Sequence, residues 1–267
     1  RPRLVELLDP LLDAVADAGS TDLLDALAFR FPVAVIGELV GIPEEDRDQF
    51  RSLVRASTAM IEASPDVDAL RLAERSMAEM GAYFRDLVVR RRREPSDDLI
   101  SAMIAIEDAD GDRLSGEEMV STAILLFGAG FETTTNLIGN GTLCLLRNPE
   151  QTRRLRNDPS LLPTAVEEML RYESPVQLDA RSALVDADIA GRPVPAGTSV
   201  VTFLGAANRD PGVFEHPDVF DVARHPNNPL SFGWGIHHCL GAHLARVEGQ
   251  IVFGRMLERF ATIELDG

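Results

Sequence analysis

The strongest constraint on this chain is one helix-compatible segment that runs without interruption from Ser115 to Pro149. Ser115 and Glu118 have the form of a capping box, in which hydroxyl and carboxylate each satisfy a backbone N–H at a helix start. A helix filling the segment would be ~48 Å long at about 1.5 Å per residue. Apolar residues lie nearly all the way round it, so it is expected to run through the middle of the fold. Its centre breaks local rules. Gly128 and Gly130 each cost about 1 kcal/mol relative to alanine in a helix, and an ionised Glu132 costs more unless paired or protonated. Such violations tend to mark function. Small residues open space beside a helix, and the Thr133 hydroxyl can bond the carbonyl of Ala129, loosening the ladder and orienting a water or ligand. Read as structure only, Ala129-Gly130-Phe131-Glu132-Thr133-Thr134 is a glycine-softened packing crossing whose acid finds some partner.

Upstream, the apolar stripe Leu4, Leu7, Leu8, Leu11, Leu12, Val15 has helical spacing, and further helices are expected around Leu24–Val40, Asp46–Ala63 and Ala69–Arg93. Gly41-Ile42-Pro43 and Ser64-Pro65 punctuate them. The Arg90–Arg93 run sits at a helix C-terminus, where the macrodipole favours cations, and needs no binding role. Downstream, a helix near Leu162–Tyr172 precedes short strands at Arg181–Val185, Ile189, Val194 and Thr198–Phe203. Residues 206–238 are loop-rich, and Leu240–Phe260 returns to helix.

Composition bounds the partners. With 45% apolar and 26% charged residues, the 267-residue chain can bury a sizeable core and is read as a single domain over 1–267. A formal charge of −17 argues against nucleic acid and anionic membrane surfaces. Two cysteines make no disulfide framework, which points to a reducing, cytoplasmic setting. No apolar stretch reaches membrane-spanning length. The absence of an initiator Met before Arg1, and an end straight after the strand-like Ala261–Leu265, lead us to expect cut termini.

Cys239 stands just before a helix, where unpaired backbone N–H groups and the positive dipole end suit an anionic metal ligand. Gly233 and Gly235 permit a tight loop, and Gly241 lets a flat cofactor lie close to the first helical turn. A lone cysteine is otherwise an inert small core residue, which is the reading given to Cys144 among Leu143, Leu145 and Leu146. Zinc at His237-His238-Cys239 is disfavoured, because adjacent residues rarely converge on one tetrahedral ion.

The order Phe232-x-x-Gly235-x-His237-x-Cys239-x-Gly241 resembles the heme-binding signature of the cytochrome P-450 family. The resemblance implies a mainly α, cytochrome P-450-like helical fold with a few short β-strands, and heme b (iron protoporphyrin IX) as cofactor. It makes Cys239 the axial ligand and His237 a partner of a heme propionate, with Phe232, Gly235 and Gly241 shaping the loop. Ala129-Gly130-x-Glu132-Thr133 is similar to the family's oxygen-activation motif, which places Thr133 beside dioxygen and Glu132 on the proton-delivery route. Glu168-x-x-Arg171 would alone be an exposed pair worth ~0.3–0.5 kcal/mol; the resemblance makes it a buried network that holds the cysteine loop. The network's usual third member, an arginine, falls at Val219 here, with Arg224 as the substitute. Arg181 resembles the propionate-binding arginine, for which a bidentate guanidinium is suited. Asn208-Arg209-Asp210-Pro211 is a family-like run with a structural role.

By the resemblance, the function is a bacterial monooxygenase. It would take dioxygen and two electrons relayed from NAD(P)H through a ferredoxin or similar protein, and hydroxylate or epoxidise an apolar small molecule. Candidate pocket residues are Phe127, Ala129, Gly130, Val176, Gln177 and Leu178. One alternative is a heme-thiolate peroxygenase, isomerase or dehydratase; retention of Glu132 and Thr133 speaks against it. Another is a catalytically silent interaction module of the same fold, which the intact cysteine loop disfavours. The family also has an N-terminal β-rich part and a C-terminal substrate-contacting turn to which nothing here corresponds.

Overall fold

A computed structural model describes residues 1–57, 66–110 and 114–266, without the side chains of 107–110. The expected stop at Ser64-Pro65 and the end of the Asp46–Ala63 helix lie outside these residues. Helix α1 (Pro2–Ala18) carries the predicted stripe, with Leu8 and Leu12 fully buried. The chain divides into two compact units, one made of Glu6–Leu11 and Asp25–Glu132, the other of Arg1–Val5, Leu12–Leu24 and Thr133–Gly267.

The first unit contains α2 (Arg30–Val40), α3 (Phe50–Ser57), α4 (Val67–Arg93), α5 (Leu99–Asp110) and the first half of α6 (Gly116–Arg147). The helix expected over Leu24–Val40 is broken: a π turn at Leu24–Ala28 precedes α2. Gly41 ends α2 at φ 96°, a left-handed conformation that glycine adopts without a Cβ penalty. The Asp46–Ala63 expectation resolves into a 3-10 turn at Glu44–Asp46 followed by α3. Packing here is aromatic. Phe50 and Phe127 meet at 4.9 Å between ring centroids, Phe127 and Phe131 at 5.4 Å, and Phe29 and Phe131 at 5.5 Å, edge-on as ring quadrupoles prefer. Arg90–Arg93 form the last turn of α4, and Arg91 donates to the Gly41 carbonyl at 2.8 Å.

The capping box forms as read: the Ser115 N–H donates to Glu118 Oε2 at 2.7 Å, and the Glu118 N–H to Ser115 Oγ at 3.3 Å. Helix α6 then runs to Arg147. It is not buried all round, since Ser121, Leu125 and Ala129, spaced four apart, form an exposed strip. That open face is a feature of α6 that the sequence misrepresents, because an apolar residue marks a face able to be covered and not one that is.

The second unit holds the rest of α6, α7 (Pro149–Asn157), α8 (Leu162–Tyr172), four short strands, α9 (Leu204–Ala207) and α10 (Ala242–Arg259). Strand β1 (Asp179–Ser182) pairs antiparallel with β4 (Ser199–Thr202), and β2 (Ala187–Ile189) with β3 (Arg192–Val194). The β2–β3 turn places Ala190 at φ 52° and Gly191 at φ 80°, as a two-residue hairpin loop demands. The edges of β1 fall two and three residues before the expected ones and those of β4 one residue inside them, and Ala261–Leu265, which reads as a strand, forms none. The core joins Leu137 and Leu145 of α6 to Val166 and Met169 of α8 and Phe253 of α10.

Gly141 shows how closely α6 packs in this unit. A Cβ there would lie 2.4 Å from Phe253 Cζ and 2.8 Å from Met169 Sδ. Gly141→Ala gains about 1 kcal/mol of helix propensity but overpacks a filled core at ~1–3 kcal/mol. Thermal unfolding should therefore show a lowered Tm for Gly141→Ala. Gly116→Ala, which meets nothing within 4 Å, should leave the Tm unchanged or raised.

Candidate functional site

Helix α8 turns its Glu168 and Arg171 inward, and both side chains are fully buried. Arg171 binds Glu168 with two parallel bonds, Nε to Oε2 at 2.7 Å and Nη2 to Oε1 at 2.9 Å. Arg224 reaches the same carboxylate through Nε, at 3.1 and 3.0 Å. The Asp221 N–H at 3.0 Å and Asn227 Nδ2 at 3.1 Å complete its acceptor capacity. The remaining guanidinium N–H groups are taken by main-chain carbonyls: Asn208 and Pro217 for Arg171 at 2.8 Å each, Glu215 at 2.6 Å and Val219 at 2.7 Å for Arg224. Such saturation is what allows ionised groups to be buried at all. Val219 itself is 54% exposed and contributes only its carbonyl, so Arg224, five positions later, supplies the second guanidinium.

From this knot a second set of bonds leads to the cysteine loop. Asn208, fully buried beside the knot, donates to Ser174 Oγ at 2.8 Å and Ser231 Oγ at 2.9 Å and accepts from the Leu230 N–H at 2.7 Å. Ser231 Oγ donates to the Leu170 carbonyl at 2.7 Å. Next in sequence, the Phe232 ring lies under the Arg246 guanidinium at 4.4 Å, and Arg246 is held by Glu167. The loop then closes on itself: Cys239 N–H donates to Phe232 O at 2.9 Å and His238 N–H to Gly235 O at 3.0 Å, with Gly233 at φ 69° and Gly235 at φ 73°. Gly241 is the N-cap of α10. Cys239 and His237 are exposed, amid Trp234, Ile236 and Leu240, which are at least 85% exposed.

Other predicted residues are placed differently. Phe127 is wholly buried in the aromatic core of the first unit, whereas Leu125, 67% exposed and four residues before Ala129, stands on the open face. A Cβ at Gly130 would stand 2.7 Å from Ile36 Cγ1, so that glycine lets α2 approach α6 closely. Arg181 bonds Asp179 at 2.6 Å and the Ala180 carbonyl at 2.8 Å on its own strand. Val176, Gln177 and Leu178 are exposed, and Gln177 Nε2 also donates to the Ser174 carbonyl at 2.7 Å. Glu132 is half-buried; burial raises its carboxyl above the usual range, and the Arg55 charge opposes this. Thr133 is partly buried. Cys144 lies in the core, where burial pushes its thiol up to about 12.

Sequence reading missed Asn227, Ser231 and the Glu167–Arg246 pair, and read Asn208 only as part of a structural run. The signal for Asn208 was its place between two loops whose backbone groups have no ladder partner. Among the described residues, no three His, Cys, Asp or Glu side chains cluster to hold a metal ion, so His237, His238 and Cys239 do not converge. What the loop presents is one soft sulfur ligand in an apolar rim, a fit for the face of a flat, largely apolar macrocycle carrying its own metal.

A sequence model of the cytochrome P-450 family matches residues 69–266. The chain is 43% identical over 265 residues to the biotin biosynthesis cytochrome P-450 of Bacillus subtilis (strain 168), covering 99% of this chain and 67% of that one. It is 42% identical to the 6-deoxyerythronolide B hydroxylase of Saccharopolyspora erythraea, covering 99% and 64%. A crystal structure of P-450 BioI with acyl carrier protein ligated to hexadec-9Z-enoic acid superposes with a TM-score of 0.95 at 44% identity, covering 100% of this chain and 68% of that one. For myxobacterial CYP267B1 with myristic acid the TM-score is 0.92, again at 44% identity, covering 100% and 65%. The chain belongs to the cytochrome P-450 family, whose cofactor is heme, and it spans about two thirds of the length of these relatives.

The knot makes a direct prediction. Glu168→Ala leaves two arginines without their shared counter-charge, one of them fully buried, and breaking such a pair costs about 3–5 kcal/mol. Urea unfolding should show a loss of that size.

Proposed function

We propose that this chain carries the heme-binding and oxygen-activating part of a bacterial monooxygenase, in which Cys239 Sγ would be the sole thiolate holding heme b. The observation that carries the reading is the presentation of Cys239: an exposed thiol on a loop tied to a buried ionic knot, while the other cysteine is locked in a core. When bound, thiolate-ligated heme supplies dioxygen binding and O–O cleavage, the sulfur donating electron density.

The chain's own groups do the rest. Gly241, the N-cap of α10, lies beside the sulfur: a Cβ there would stand 3.9 Å from Cys239 Sγ, so the thiol sits at the start of that helix. Trp234, Ile236 and Leu240 would give apolar contact to the macrocycle, and His237 and Arg181 would be the groups for its propionates. For Arg181 this requires exchange of its bond to Asp179. Glu132 holds a proton on its carboxyl to a higher pH than an exposed glutamate, because burial penalises the charged form, and can give it up at Oε. Thr133 Oγ1, the next residue, accepts and donates in turn, so it orients the transferred proton without itself being consumed.

Apolar surface for a substrate is offered by Leu125 and Ala129 in one unit and, separately, by Val176 and Leu178 in the other. Hydroxylation or epoxidation of an apolar small molecule follows, with electrons from NAD(P)H through a ferredoxin or a similar redox protein. Two of the similar structures hold hexadec-9Z-enoic acid on acyl carrier protein and myristic acid, so acyl chains are the substrate class to try first. Both cysteines are free, in keeping with a cytoplasmic setting. Among the described residues no helix is long and apolar enough to cross a membrane.

The reduced, heme-loaded chain should show the red-shifted carbon monoxide band of thiolate ligation. Cys239→Ser should abolish it and Cys144→Ser should keep it; the opposite pattern would reverse the assignment.

A further inference from the structure

Helix α10 carries a buried acid for which neither the fold nor the proposed chemistry has so far accounted. Glu248 is 2% exposed, its Oε2 has no hydrogen-bond partner, and its carboxyl is bonded by the hydroxyl of Thr134 on α6. Thr134 is itself buried and directly follows Thr133. The bond is one end of a seam between the two helices. A Cβ on Gly249 would lie 3.3 Å from Leu137 Cδ2, and one on Gly141 2.4 Å from Phe253 Cζ, so positions 134, 137 and 141 of α6 meet 248, 249 and 253 of α10 in order. Helical spacing puts 134, 137 and 141 on one face of α6 and 249 and 253 on one face of α10.

Ionisable groups on the elements around Glu248 are committed elsewhere or face solvent. On α8, Glu167 is bound by Arg246, and Glu168 and Arg171 by each other; Tyr172 reaches the Asp218 carbonyl. On α10, Arg255 pairs with Glu258, Arg259 with Asp13, and His243 is exposed. On the second-unit part of α6, Arg147 is exposed and Cys144 is a buried thiol. An ionised Glu248 would thus be a buried charge with one hydroxyl for a partner, which a protein interior tolerates poorly.

We propose that Glu248, as a neutral acid, is a positioning residue that clasps α10 to α6 through Thr134, and that its ionisation undoes the clasp and loosens α6 at Thr133. Burial raises its carboxyl from the ordinary 4.5 to about 8, with the Thr134 bond pulling the other way. Because the folded value lies above the unfolded one, the folded state retains a proton that the unfolded state releases. Its contribution to stability is fully present below about 4.5 and is lost as pH rises through about 8. The device matters for activity only through the role proposed above for Thr133; the clasp itself does not depend on that role.

Backbone amide exchange across Thr133–Ile138 in the full chain, without added heme, tests this. After correction for intrinsic rates, exchange in the wild type should rise by roughly a hundredfold between about pH 6 and about pH 9, about tenfold per unit at first and levelling off above the folded value of about 8. Glu248→Gln, which keeps the bond and cannot ionise, should stay flat. Thr134→Val should exchange faster at the lower pH and lose the step. Superimposable pH profiles for the wild type and Glu248→Gln would overturn the proposal, as would a step retained in Thr134→Val. A missing carbon monoxide band in the heme-loaded chain would count against the proposed function and leave these exchange results unchanged.

Discussion

The carboxylate of Glu168 is the interaction on which the second unit turns. It is wholly buried, and removing an ion from water is costly enough that only dense compensation sustains it. Two guanidiniums, one backbone N–H and one amide converge on its two oxygens. The arginines spend their spare N–H groups on carbonyls between Asn208 and Val219, a stretch with little regular secondary structure of its own. Loop backbone normally relies on water for such partners. Here charge-assisted bonds substitute for a ladder, and an irregular segment acquires the fixed geometry of a helix or sheet.

That rigidity is passed along the chain toward Cys239. Asn208 gives its carbonyl to Arg171 and its side chain to Ser231 and Leu230, so one residue belongs both to the ionic knot and to the root of the cysteine loop. Phe232, under Arg246, is the last anchored side chain before the loop emerges into the open. Beyond it, Gly233 and Gly235 use positive φ angles to reverse the chain within a few residues. A metal ligand needs its donor atom held by surrounding structure and not by the metal alone. Conformational entropy that would otherwise be lost on binding is thereby lost on folding.

Features legible in the sequence are those that local chemistry dictates. The capping box at Ser115, the end of α6 before Pro149 and the cysteine loop each rest on residues a few positions apart, and each is found where it was read. Pairing of Glu168 with Arg171 was legible for the same reason. Arg224 was harder, because its role depends on a loop folding back across more than fifty positions to replace what Val219 does not offer. Burial was the least legible property. Phe127 and Ala129 are both small steps along one apolar helix, yet one is core and the other exposed, a difference set by α3 and α4 and not by the residues themselves. Gly130 also makes room for Ile36, which its own sequence neighbourhood does not announce, and Glu248 drew no notice because an acid two residues after Arg246 looks like an ordinary solvated helix position.

The central claim is that the knot-held loop delivers one sulfur to one iron. X-ray absorption at the iron edge of the heme-loaded chain tests it most directly, since it counts the atoms bound to iron by element. The account predicts a single sulfur ligand in the wild-type protein that is lost in Cys239→Ser. An iron bound only by nitrogen and oxygen in the wild type would contradict it.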